Sequence, residues 1–202
     1  MPLITTLAGA STRGYGGLQT SGGPVGDYES IQTVTVTSGG SATISFSSIP
    51  QTYDHLQLRV LSKTTDTATG EDNTNFYFNS DTNFNNYRSH WQRANGSSVS
   101  ASDVQASGYQ VYTGVIPTSG TGQTSMFGAS IIDILDYTNT NKNKVVRTLN
   151  GDNLNNTNFD FIGLYSALWN STAAVTSITF TVPGGTNYAQ YSSFALYGIK
   201  GA

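Results

Sequence analysis

The stretch His55-Leu56-Gln57-Leu58-Arg59-Val60 decides the fold class. Successive side chains of a strand point to opposite faces, so Leu56, Leu58 and Val60 share one side while His55, Gln57 and Arg59 share the other. An apolar side alternating with a polar side marks an antiparallel strand that rests one face on a core. The period recurs outward from this stretch. Phe76 and Phe78 repeat it, as do Tyr109, Val111, Thr113 and Val115, and residues 145–149, 159–165, 178–182 and 194–199 follow. Val34 and Val36 alternate with threonines, and Ser38-Gly39-Gly40-Ser41 reads as a hairpin turn into Ile44 and Phe46. Residues 87–94 end at Asn95-Gly96, a type I′ signal for a second hairpin. Residues 126–137 carry Ile131, Ile132, Ile134 and Leu135 on both faces, which predicts a central strand, with a short buried helix as the alternative.

Composition agrees with many short strands. Of 202 residues only 10% are charged, against about 25% in soluble domains, while Ser, Thr and Asn supply roughly a third. Thr is β-branched, Ser and Asn serve turns, and twelve Tyr, nine Phe and two Trp supply a core that a disordered chain lacks. The expectation is an all-β, antiparallel two-sheet β-sandwich of jelly-roll type. It forms a single domain at 29–202, preceded by an extended Gly-rich arm at 1–28. That arm contains Arg13-Gly14-Tyr15-Gly16-Gly17 and is expected to be gripped by its own domain or a neighbour.

Charge and cysteine content narrow the partners. A net charge of -3 with nine Lys and Arg excludes the broad basic surface that nucleic-acid binding needs. Without cysteine there is no disulfide framework and no thiolate metal site. No apolar run is long enough for a membrane helix, and the first ten residues lack the basic and apolar regions of a signal peptide.

Few residues can carry chemistry. There are two His and two Glu; neither His55 nor His90 lies in a nucleophile motif, so no catalytic residue and no cofactor is expected. Asp133 with Asp136, or Asp152 with Asp160, are the candidate carboxylate pairs for glycosidase chemistry, against ordinary turn and edge polarity. Glu71, Asp72, Asn73 and Asn75 form an oxygen-rich run that is a weak calcium candidate, against a solvated loop. Tyr87, Trp91 and Arg93 share one strand face, a platform for a glycan or a partner, against a core role for the two aromatics. Sequons begin at Asn95, Asn155 and Asn170, as chance predicts in so Asn-rich a chain.

Three stretches carry a resemblance. Leu7-Ala8-Gly9-Ala10-Ser11-Thr12-Arg13-Gly14-Tyr15-Gly16, Ser193-Phe194-Ala195-Leu196-Tyr197-Gly198-Ile199-Lys200 and the segment from Phe46 through Ile49-Pro50 to Arg59 resemble small virion proteins of tailed bacteriophages, of marine and cyanobacterial type. The resemblance implies a β-sandwich component of the particle and no catalytic residue. Its leading form is a decoration (cement) protein bound to the major capsid protein, homo-oligomeric and possible as a trimer, with Arg13 and Tyr15 as arm anchors and Gly14, Gly16 and Gly17 allowing close approach. The alternatives are a tail, fibre or baseplate protein touching host glycan, and a free carbohydrate-binding module.

Overall fold

The computed structural model describes residues 27–68, 70–105, 108–120, 124–154 and 160–201; the arm residues 1–26, Arg13 and Tyr15 among them, lie outside this set. The described residues form strands β1 (Tyr28–Thr35), β2 (Thr43–Phe46), β3 (His55–Ser62), β4 (Glu71–Phe78), β5 (Tyr87–Ala94), β6 (Val99–Val104), β7 (Val111–Pro117), β8 (Gly128–Leu135), β9 (Lys144–Asp152), β10 (Phe161–Trp169), β11 (Ile178–Thr181) and β12 (Ser193–Ile199), with one 3-10 turn at Phe84–Asn86. No helix among them is long and apolar enough to cross a membrane.

The strands build two antiparallel sheets, ordered β1-β12-β3-β8-β9-β10-β5-β6 and β2-β11-β4-β7. Strands β1-β12-β3-β8 facing β2-β11-β4-β7 is the strand order of a jelly roll, in which the chain steps repeatedly from one sheet to the other. The remaining four strands are two insertions. Hairpin β5–β6 interrupts the passage from β4 to β7, hairpin β9–β10 interrupts that from β8 to β11, and both extend the same sheet beyond β8.

Between the sheets lies the core. Leu56, Leu58, Ile132, Ile134, Phe194 and Leu196 from the large sheet are buried against Ile44, Phe46, Phe76, Phe78, Ile178 and Phe180 from the small one. Phe180 sits 5.0 Å from Phe76 and 5.1 Å from Phe194, tying the sheets through one aromatic contact chain. Tyr188 is fully buried without a polar debt, since its hydroxyl shares a hydrogen bond with Thr74 and donates to the Thr181 carbonyl.

Four strands cannot cover eight, and β7 makes the join. Gly114 has φ +117°, and a Cβ there would fall 2.8 Å from the Asn150 side chain, so only glycine lets β7 lie this close to β9. Asn150 then donates to Val115 O of β7 and to Ser130 Oγ of β8.

Several expectations need correction. Strands β1 and β2 are not a hairpin: β1 pairs with β12 and β2 with β11, so residues 36–42 carry the chain across the sandwich. The hairpin after Asn95-Gly96 exists, but its loop spans residues 95–98. Asn95 Oδ1 accepts from the Ser97 and Ser98 amides, in place of a two-residue turn. The predicted central strand is β8, fourth in the large sheet, yet only Ser130, Ile132 and Ile134 turn inward; Ile131 is exposed. β1 begins at Tyr28, inside the stretch assigned to the arm.

At the base of the β8–β9 hairpin, Lys144 is wholly buried. Its ammonium donates to the carbonyls of Asn139 (2.6 Å), Lys142 (2.7 Å) and Thr172 (3.1 Å), fastening the hairpin loop to the segment before β11. Lys144→Met removes the donor and leaves three carbonyls short of a partner, so it is expected to lower stability by about 2–4 kcal/mol in urea denaturation. An unchanged midpoint would show that the ammonium carries no structural load.

Candidate functional site

The inserted hairpins widen the outer face of the large sheet, and the strand register sorts that face into rows. One row runs Leu61, Ala129, Gly151, Ile162, Ala94, Val99 from β3 to β6; the next runs Arg59, Ile131, Leu149, Leu164, Gln92, Ala101. A third row is polar: Gln57, Asp133, Arg147, Ser166, His90, Asp103. The first two rows hold Leu61, Val99, Ile131, Leu149, Ile162 and Leu164, all exposed, with Ile162 and Leu164 at 61% and 60%. Six half-exposed aliphatic chains amount to ~500 Å² of contiguous apolar surface, at the upper end of what a free-standing monomer shows. Ile131 and Leu149 form a ridge between two grooves. One of 560 Å³ lies over Ala129 and Gly151, and one of 700 Å³ lies over Asp133, Arg147 and His90.

The charges beside the apolar rows differ in how they are held. Asp133 accepts from Gln57 Nε2 at 2.9 Å, while the Arg147 guanidinium has no ion-pair partner among the described residues. Arg59 is turned toward the β1 edge, 5.6 Å from the Tyr28 ring and 5.9 Å from that of Tyr197. Those two rings stack at 4.7 Å, and Tyr28 donates to Gln57 Oε1 at 2.8 Å.

The residues singled out by sequence are scattered by the fold. Tyr87 is buried against Trp169, its hydroxyl accepting from the Phe78 amide and donating to Asp81 O, so it leaves the proposed platform for the core. Trp91 and Arg93 share its face of β5, which is the inward one, and there the guanidinium lies 4.8 Å from the indole and 4.6 Å from the Phe161 ring. Glu71, Asp72, Asn73 and Asn75 lie in β4 and not in a loop, and their partners differ. Asp72 accepts from the Thr64 and Thr186 hydroxyls, Asn73 accepts from Tyr112 and donates to Tyr109, and Asn75 donates to Gln110. Asp133 and Asp136 are separated in role, since Asp136 pairs with Lys142 at 2.7 Å and its amide donates to His55 Nδ1. Asp152 accepts from the Phe161 amide and Asp160 from the Leu154 amide, so this pair braces the β9–β10 connection. Arg13, Gly14, Tyr15, Gly16 and Gly17 lie outside the described residues.

Sequence reading missed the apolar rows. The alternation in β9 and β10 was visible, but Leu149 and Leu164 are aliphatic on the outward parity, a pattern that single-strand periodicity scores as core. No protein-family model, no curated protein and no solved structure matches the chain.

Sequence reading also missed a buried acid pair between the sheets. Glu71 Oε1, Asp152 Oδ2, Arg93 Nε and Tyr165 OH are buried without a hydrogen-bond partner among the described residues. Two buried carboxyls that interact this strongly cannot both ionise, and share a proton. Burial first, and then the Asp152 charge, pushes Glu71 up to about 9, and burial pushes Asp152 up to about 6, so Glu71 is the partner that keeps its proton as pH rises. Burial also raises the Tyr165 phenol to about 12. Between the ordinary carboxyl value near pH ~4 and about 9, the folded chain holds a proton that the unfolded chain has released. The pair's contribution to stability is therefore full at acid pH and falls as pH rises through that window. Glu71→Gln keeps a donor without the titration and is expected to flatten this fall in urea denaturation at pH 5, 7 and 9. Parallel curves for both proteins would contradict the shared proton.

Proposed function

We propose that the chain is a non-enzymatic structural protein of a tailed-bacteriophage virion, a decoration protein seated on the capsid shell. The observation that carries this reading is the wide aliphatic outer face of the large sheet. Covering ~500 Å² of apolar surface at roughly 25 cal/mol per Å² yields on the order of 12 kcal/mol before the costs of association, which is the scale of a protein interface. Aliphatic rows suit a dry protein contact, whereas sugar rings stack on aromatic faces. The low charge of the chain suits contacts that salt weakens little, and the terminal resemblance points to the same kind of particle. Arm anchoring through Arg13 and Tyr15, with the major capsid protein as partner, belongs to this proposal.

The tail reading, with host glycan on an aromatic platform, draws less support. Tyr87 is in the core, and Trp91 already has Arg93 against its ring.

The test is binding to shells that lack the protein. Leu149→Asp and Leu164→Asp place charge on exposed positions and are expected to leave the fold within about 1 kcal/mol of the parent. Each should lower shell occupancy at least tenfold while circular dichroism and thermal midpoint hold. Full occupancy by both variants would contradict the reading.

A further inference from the structure

We propose that a second copy of this chain covers the outer face, docked about a twofold axis that runs parallel to the strands between β8 and β9. This names the occupant of the face and rests on reading that face as an assembly surface: the pair, and not the single chain, is then what the shell receives, so a variant that breaks the pair also lowers shell occupancy.

The argument is the self-complementarity of the rows. β8 and β9 are the fourth and fifth of the eight strands, so this axis passes through the middle of the sheet and sets β8 over β9, β3 over β10 and β12 over β5 of the other copy. An isologous interface requires that whatever one residue meets, its partner meets in return. Under this axis Ile131 meets Leu149, Leu61 meets Ile162 and Leu135 meets Val145, because the members of each couple share a row. In the polar row Asp133 meets Arg147, twice over, and Gln57 meets Ser166.

A twofold placed on either of the two flanking strands fails on charge. An axis along β8 itself sets Asp133 against Asp133, and one along β9 sets Arg147 against Arg147. An axis running across the strands either repeats those clashes or lays both charges on the aliphatic rows, where they would be desolvated without a partner. Arg147, on this polar row, has no ion pair within its own chain among the described residues. Arg59, which would otherwise face Leu164, is held sideways on the Tyr28 and Tyr197 rings.

The area suffices. Six strands from β12 to β5 at ~4.8 Å spacing, by about seven residues at ~3.3 Å, give a footprint of ~650–700 Å² before surface relief, near the ~800 Å² per partner of a standard interface. Two sheets packed in this way lie ~10 Å apart with strands about 30° from aligned, the geometry of a β-sandwich built between copies.

Sedimentation velocity of the full chain over a range of concentrations tests this. The parent is expected to dimerise. Arg147→Asp and Asp133→Arg should each weaken the dimer about tenfold or more by facing like charges, and the double exchange should restore it to within about threefold of the parent. Leu164→Asp, on the apolar row, should weaken it without rescue by the charge exchange. A parent that stays monomeric, or a double exchange that folds yet fails to recover dimerisation, overturns the twofold. The same proteins scored for shell occupancy separate the two claims. A monomer that binds shells overturns this proposal alone, with the shell as the true occupant. A dimer that ignores shells supports it and removes the capsid role.

Discussion

The backbone ladder between β8 and β9 joins the jelly roll to the strands inserted into it, and the outer face depends on its register. From Ala129 opposite Gly151 to Leu135 opposite Val145 the pairing is unbroken. Side chains alternate with period two, so a slip of one residue would send Leu149 and Arg147 inward and bring Asn150 and Val146 to the surface. Lys144 sits where this ladder begins, its charge spent on three carbonyls, so the hairpin is anchored at the end from which register is set.

A wide sheet on a narrow one creates two unlike margins. On the inner side the small sheet ends at β7, and the space beneath β9, β10 and β5 is filled by polar groups: Asn150, Asp152, Glu71, Arg93 and Tyr165. These groups can be buried there because they share protons and stacking contacts, at a stability that depends on pH. On the outer side the same four added strands extend a face whose central rows are aliphatic. The two inserted hairpins thus account for both the buried polar cluster and the exposed apolar surface.

Strand alternation in the sequence was sufficient for the class of fold, the sandwich and most of the strands, because half-buried strands such as β3 write their orientation in every second residue. Connectivity was less legible. Ser38-Gly39-Gly40-Ser41 turns the chain with the same residues whether it returns to the neighbouring strand or crosses to the facing sheet, so β1 and β2 looked like a hairpin. The candidate site was hardly legible at all. Ile131 and Leu149 look like core residues in their own strands, and only the pairing of six strands shows that they are neighbours on a face that none of the described residues covers. Glu71 and Asp152 are far apart in sequence, and their meeting follows from β7, which pairs with β4, packing on β9.

The central claim is that protein covers the outer face of the widened sheet in the assembled state. Side-chain oxidation footprinting by mass spectrometry tests it directly, comparing the dilute isolated chain with the chain in its assembled state. The account predicts that Leu149, Ile162 and Leu164 are oxidised in the dilute chain and protected on assembly. Equal labelling of the three aliphatic residues in both states would contradict it.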